Sequence, residues 1–222
     1  YTSVRIQMGN SVPYEQISLG GVYMRSRHGQ DHQANKEVVK NLQCIIFDFD
    51  GVMTNNQALE GMGMKPKWRS HYDGQGVSLL RAIGIRLCVI TNERGASAQA
   101  AIELVESWNN LPSSRRPENL LGWEHVALFT NRSGEKKVLA AEEWFAALGL
   151  SWEVCAVMGD DLVDIPMLQR ACFRVAPVSA ECVVRDIAHF VSHRRAGAGA
   201  VRDFANFVLE VRGITPLLLP LQ

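Results

Sequence analysis

From Gln43 onward the apolar residues fall into two alternating rhythms. Short unbroken runs, of the kind buried in parallel sheets, mark strands at Cys44–Phe47, Arg86–Ile90, Val126–Phe129, Val154–Met158, Phe173–Ala176 and His189–Val191. Between them, apolar residues spaced three and four apart mark helices. These are expected at Val77–Ile83 (closed by Gly84), Ala96–Trp108, Glu135–Leu148 (ended by Gly149), Leu162–Ala171 (with Pro166 in its first turn), Ser179–Ile187 (capped by Ser179) and Val201–Val211. Repeated strand–helix units predict an α/β domain, a parallel sheet with helices on both faces. Residues 109–123, with Asn109-Asn110, Pro112, Arg115-Arg116 and Pro117, read as an exposed loop.

Residues 1–42 break the pattern. They are rich in Gln, Ser, Gly, Asn and His, with one short strand expected near Gly21–Met24, and read as a linker or the tail of a preceding domain. The domain itself is expected over 43–212, with a C-terminal tail at 213–222. The chain starts at Tyr1 without an initiator Met, as a piece of a longer chain would. His28 and His32 stand four apart but lack a third ligand, so solvated loop histidines are the expectation.

Composition narrows the function. Lys+Arg and Asp+Glu both number 23, so no global charge points to nucleic acid. No apolar run reaches the roughly 20 residues of a membrane span, and no signal-peptide layout opens the chain. The 5 cysteines form no CxxC pair, which suits reduced thiols in a cytoplasmic protein.

In such a sheet, ligands bind beyond the carboxyl ends of the strands. The first strand ends Asp48-Phe49-Asp50-Gly51. Two carboxylates two residues apart share a face in extended backbone, and they repel unless a cation or a proton relieves them. Mg²⁺ would do so, leaving one carboxylate to attack phosphorus and the other to handle protons. Gly51 permits the sharp exit. A calcium loop counted from Asp48 would need Glu at its twelfth position, where Leu59 stands. The second strand ends Thr91-Asn92, able to bond a phosphoryl oxygen or merely to cap a helix. Lys136 and Lys137 open a helix, where an ammonium can balance a transferring phosphoryl group, although paired lysines are commonly surface residues. The fourth strand ends Gly159-Asp160-Asp161-Leu162-Val163-Asp164. Capping accounts for one of these three carboxylates; an oxygen-only cation site accounts for more.

These four motifs, in this order, resemble the haloacid dehalogenase superfamily over residues 43 to about 212. The resemblance implies a Rossmann-like three-layer domain and a Mg²⁺-dependent phosphatase. Asp48 would form an aspartyl-phosphate, and Asp50 would protonate the leaving oxygen and then activate water. Thr91 and Asn92 would hold the phosphate, with Gly51, Glu93 and Arg94 also on the substrate side. Lys137 rather than Lys136 would balance charge. Asp160 would bind the metal with Asp48 and the Asp50 carbonyl, supported by Asp161 and, less directly, by Asp164.

A finer likeness rests on Asp50-Gly51-Val52-Met53-Thr54, an expected hairpin through Trp68, His71–Val77 and Gly197–Arg202. It is to the capless subgroup that dephosphorylates 3-deoxy-octulosonate 8-phosphate and nine-carbon sialic-type acid 9-phosphates. The same module resembles the C-terminal domain of acylneuraminate cytidylyltransferases. The likeness implies a homotetramer whose hairpins pack together, and a small-molecule sugar-acid phosphate as substrate. Glu93 leans toward the nine-carbon acid, unless it only caps the helix expected near Ala96. Asn92 in place of a small residue, the lack of Asp-Gly after Thr54 and the long 109–123 loop depart from the subgroup's pattern. Two alternatives stand beside the phosphatase. One is a non-catalytic oligomerisation module, against which the paired Asp48 and Asp50 argue. The other is a phosphotransferase, for which no acceptor signal exists.

Overall fold

All four residues of β1 (Cys44–Phe47) are buried, so this strand needs cover on both faces. The computed structural model, which describes residues 29–59, 66–115 and 122–219, provides it. β1 lies inside a six-stranded sheet with β4 (Arg86–Ile90), β5 (Ala127–Phe129), β6 (Cys155–Met158), β7 (Phe173–Ala176) and β8 (Phe190–Val191). The order is β5-β4-β1-β6-β7-β8, with every neighbouring pair parallel. Alternate strand residues feed two layers. Ile45, Phe47, Leu87 and Val89 pack under α1 (Gly29–Lys40), α2 (His71–Ala82), α3 (Gln99–Asn109) and α7 (Ala200–Val211). Cys44, Ile46, Cys88 and Ile90 pack under α4 (Glu135–Leu148), α5 (Ile165–Arg170) and α6 (Cys182–Ile187). The expected three-layer α/β arrangement is therefore the one found.

The only antiparallel pair among the described residues is a hairpin directly after β1, formed by β2 (Thr54–Ala58) and β3 (Lys67–Arg69). Its base is fixed by Gly197, whose N–H donates to the Val52 carbonyl (3.2 Å). A Cβ on Gly197 would meet the Asn55 nitrogen at 2.5 Å, so only glycine allows this approach. Asp73 of α2 in turn accepts from Gly199 N–H (3.0 Å) and Arg202 N–H (3.1 Å), occupying open donors at the start of α7. The segments His71–Val77 and Gly197–Arg202 thus bind each other.

Several elements depart from expectation. The N-terminal stretch yields α1, where no apolar period announced a helix; its end enters the core through Val39, and Leu42 follows it there. The strand expected at Gly21–Met24 and His28 lie outside the described residues. α2 starts at His71 rather than Val77, because Ser70 caps it by accepting from Tyr72 N–H (3.1 Å). The stretch at 96–108 begins with a 3-10 turn, Gly95–Ala98, as does 162–171, where Leu162–Asp164 precedes α5. α6 starts only at Cys182; Ser179 caps nothing and instead accepts from Ala196 N–H (3.1 Å). The described part of 109–123 is exposed at Asn110 and Pro112, as expected, but anchored beyond them. It forms a 3-10 turn, Pro112–Arg115, with Ser113, Ser114 and Trp123 buried.

Candidate active site

The chain runs outward from β1 to β4 and β5, then returns to the other side of β1 for β6. This reversal opens a crevice at the carboxyl ends of β1, β4 and β6. A cavity of about 290 Å³ lies there, lined by Asp48, Asp50, Thr91, Lys137 and Asp160, among others.

Asp48 is held by the sheet itself, its N–H donating to the Met158 carbonyl of β6 (3.0 Å). Lys137, in the first turn of α4, reaches into the crevice and donates to Asp48 Oδ1 (2.6 Å) and Asp164 Oδ1 (2.6 Å). Its side chain is 1% exposed, whereas Lys136 faces solvent. Asp164 is fully buried, and its Oδ2 accepts from the N–H groups of Asp160 (3.0 Å) and Asp161 (3.3 Å). One ammonium therefore faces two carboxylates and balances only one. Burial, and then the Asp164 charge, push the Asp48 carboxyl well above the usual range. Burial alone would lower Lys137, but Asp48 and Asp164 outweigh it and raise it.

Asp160 completes the cluster. Burial, then Asp48 and Asp164, push its carboxyl up to about 8. Its Oδ1 is buried with no hydrogen-bond partner. Oxygens of Asp48, Asp160 and Asp164 lie within 4.8 Å of one another. Gly51, at φ 84°, makes room for this: a Cβ there would fall 1.8 Å from Asp160 Oδ2. A buried orphan oxygen among like charges is costly, and a hard divalent cation with oxygen ligands relieves both costs. The residues present fit such an ion.

Asp50 sits on the opposite wall. Its Oδ1 accepts from Thr54 Oγ1 (2.9 Å) and its Oδ2 from Lys67 Nζ (2.5 Å). Lys67 also donates to Glu93 Oε1 (2.8 Å). Thr91 is buried and its Oγ1 accepts from Glu93 N–H (3.1 Å), which leaves the hydroxyl hydrogen to donate to a ligand. Asn92 lines the rim, exposed.

The structure thus brings together Asp48, Asp50, Gly51, Thr91, Asn92, Glu93, Lys137, Asp160 and Asp164. It does not bring in Arg94, which is exposed and precedes the Gly95–Ala98 turn without capping it through its side chain. Asp161 lines the cavity, but its Oδ1 caps the Leu162–Asp164 turn through Leu162 N–H (2.6 Å). Of the two supporting acids, it is Asp164 that places an oxygen in the cluster with Asp48 and Asp160. Asp164 touches Lys137 and the Asp160 backbone directly, because the 3-10 turn folds it back over Gly159. Lys67 and Thr54 were missed in the sequence. Lys67 sits in a polar hairpin strand, where nothing distinguishes it from a solvated lysine.

The family model for haloacid dehalogenase-like hydrolases matches residues 33–203. The chain is 30% identical over 170 residues to the 3-deoxy-D-manno-octulosonate 8-phosphate phosphatase KdsC of Yersinia pestis, covering 76% of this chain and 80% of that protein. A probable YrbI-family phosphatase from Pseudomonas syringae superposes with a TM-score of 0.68 at 28% identity, over 82% of this chain and 92% of that one. The Moraxella catarrhalis 3-deoxy-D-manno-octulosonate 8-phosphate phosphatase, solved with magnesium, phosphate and KDO, shares the fold at 22% identity (TM-score 0.66, 82% and 93% coverage). The chain belongs to the haloacid dehalogenase-like hydrolases, and its activity is that of a phosphoric monoester hydrolase.

Proposed function

We propose that this chain hydrolyses the phosphate monoester of a 2-keto-3-deoxy sugar acid through an aspartyl-phosphate on Asp48. The observation that carries this reading is the cluster of Asp48, Asp160 and Asp164 around Lys137, with one Asp160 oxygen left unpartnered. Asp48, Asp160 and the Asp50 carbonyl would hold a Mg²⁺ ion, whose charge would offset the repulsion between a phosphate dianion and the Asp48 carboxylate. Asp164 holds the Asp160 backbone and Lys137 in place.

Asp48 attacks phosphorus, the bond to the leaving oxygen breaks, and Asp50 gives that oxygen its proton. Asp50, now a carboxylate, takes a proton from water. That water attacks phosphorus, releasing inorganic phosphate and restoring Asp48. Lys137 keeps the Asp48 carboxylate oriented in both halves, and the Thr91 hydroxyl donates to a phosphoryl oxygen. A structural module would have no use for this crowding of buried carboxylates, which disfavours the oligomerisation reading.

The relatives act on the eight-carbon acid 8-phosphate, which makes it the first substrate class. Glu93, in the cavity wall beside Asp50, supports a nine-carbon acid 9-phosphate as the second. A homotetramer built through the hairpin fits the apolar surface there, where Trp68 is 74% and Leu59 58% exposed. The test is phosphate release with Mg²⁺ from both esters, with Asp48→Asn as control. Release from either that depends on Asp48 and Mg²⁺ supports the reading, and the preferred ester identifies the acid. No release from either by the folded protein would sink it.

A further inference from the structure

The hairpin carries a group for which neither the motifs nor the family match gives a role. Lys67 lies in β3, and its side chain is only 4% exposed although the strand is at the surface. A buried ammonium needs compensation, and Lys67 has it twice, from Asp50 Oδ2 (2.5 Å) and Glu93 Oε1 (2.8 Å). The ammonium also stands 5.4 Å from the centre of the Phe49 ring. It forms the partition between the catalytic cavity and a neighbouring one of about 360 Å³ under α3, lining both.

The consequence falls on Asp50. With Thr54 Oγ1 on one oxygen and Lys67 on the other, the carboxylate is held at both ends, and both holders belong to the hairpin. An acid/base group that must face first a leaving oxygen and then a water depends on this orientation. Glu93 anchors Lys67 from the far side, on the loop after β4. Glu93 therefore reaches Asp50 through Lys67.

We propose that Lys67 is a positioning residue that aims the Asp50 carboxyl at the leaving oxygen, with Glu93 as its anchor. This rests on the reading of Asp50 as acid/base given above, and it goes beyond that reading by assigning the hairpin and Glu93 a part in the proton transfer itself. Nothing in it depends on which sugar acid is bound.

Leaving-group dependence tests it. An alkyl ester such as octulosonate 8-phosphate needs a proton on its departing oxygen, whereas p-nitrophenyl phosphate departs largely without one. For Lys67→Met, kcat/KM on the alkyl ester is expected to fall about 100-fold, the lower range of general acid catalysis, and on the aryl ester less than about 5-fold. Lys67→Arg, which can still donate to both carboxylates, should recover at least about 10-fold of the loss. Glu93→Gln should show the same leaving-group bias at smaller size. Added to Lys67→Met, it should cost nothing more on either ester, because the two act as one unit. Should Lys67→Met not fold, Glu93→Gln carries the test alone. Equal losses on both esters, or a Glu93→Gln effect confined to KM for the sugar acid, would overturn the proposal. Failure of the unaltered protein to hydrolyse either ester would instead overturn the phosphatase reading on which it rests.

Discussion

The two ends of the sheet both bury charge, and they treat it in opposite ways. At the amino ends of the strands, Arg81 of α2 is 4% exposed. Burial brings its guanidinium down to about 10, so it stays charged at neutral pH. It donates to the Trp108 carbonyl (3.0 Å), twice to the Glu124 carbonyl (2.7 and 3.1 Å) and to Ser114 Oγ (2.6 Å), with the Trp123 ring against it. Its partners are neutral dipoles, and the group stitches α2 to the chain leading into and out of 112–124. At the carboxyl ends, three acids crowd one ammonium, and an oxygen of Asp160 has no partner at all. The first arrangement stabilises the folded chain as it stands. On the proposed reading the second would be completed by a cation and a phosphate, and it would lower stability until they bind.

That contrast can be broken or sharpened. The largest effect is expected for Asp48→Asn: kcat falls more than about 10⁴-fold, as when a nucleophile is removed. The melting temperature should hold or rise, since one of the crowded charges is gone. Arg81→Leu should do the reverse. Stranding buried carbonyls and losing a satisfied buried charge costs roughly 3 kcal/mol in denaturant unfolding, while phosphate release stays within about twofold. Asp164→Asn follows, with kcat/KM down roughly 100-fold, because Lys137 and the Asp160 backbone lose their shared anchor.

A pH titration of stability comes next. A carboxyl whose folded-state pKa lies above its unfolded value holds its proton more readily when folded, so folding loses stability as pH rises between the two. For Asp160 that window runs from 3.8 to about 8. Metal-free protein should therefore lose stability across it. Mg²⁺ at a fixed concentration one hundred times its Kd at neutral pH should restore about 2.7 kcal/mol there and progressively less toward pH 4, where protonation raises that Kd. A Mg²⁺ effect of equal size at pH 4 and pH 8 would place the ion elsewhere. The smallest effect belongs to Asp161→Asn. Asparagine caps as well as aspartate, so activity and stability should stay within about threefold and about 0.5 kcal/mol. A loss matching that of Asp164→Asn would restore Asp161 to the metal site.

The sequence disclosed the site unevenly. β1, β4 and β6 were legible because a strand buried on both faces leaves an unbroken apolar run, and the polar residues just past each run had to be the site. Lys137 could be told from Lys136 by resemblance; burial now separates them physically. What stayed hidden depends on contacts distant in sequence. Lys67 becomes part of the site only because the hairpin folds back over Asp50, seventeen positions away. Glu93 was legible as a polar residue near the phosphate loop, but its partner was not. That Asp164 joins the carboxylate cluster while Asp161 caps a turn was hidden because a 3-10 turn, rather than a helix, follows β6. α1 was missed because its Gln- and Asn-rich turns show no apolar stripe until Val38 and Val39. The burial of Ser114 and Trp123 was hidden because Arg81, which donates to the one and lies against the other, gives no local sign of doing so.

The most direct test of the central claim is to trap the covalent intermediate. The protein, with Mg²⁺ and a sugar-acid phosphate, is quenched in acid during turnover, digested and weighed by mass spectrometry. One phosphoryl group on the peptide containing Asp48, absent from Asp48→Asn, is the result the account predicts. Steady turnover in which the phosphoryl group is found on another residue, or in which Asp48→Asn turns over undiminished, would contradict it.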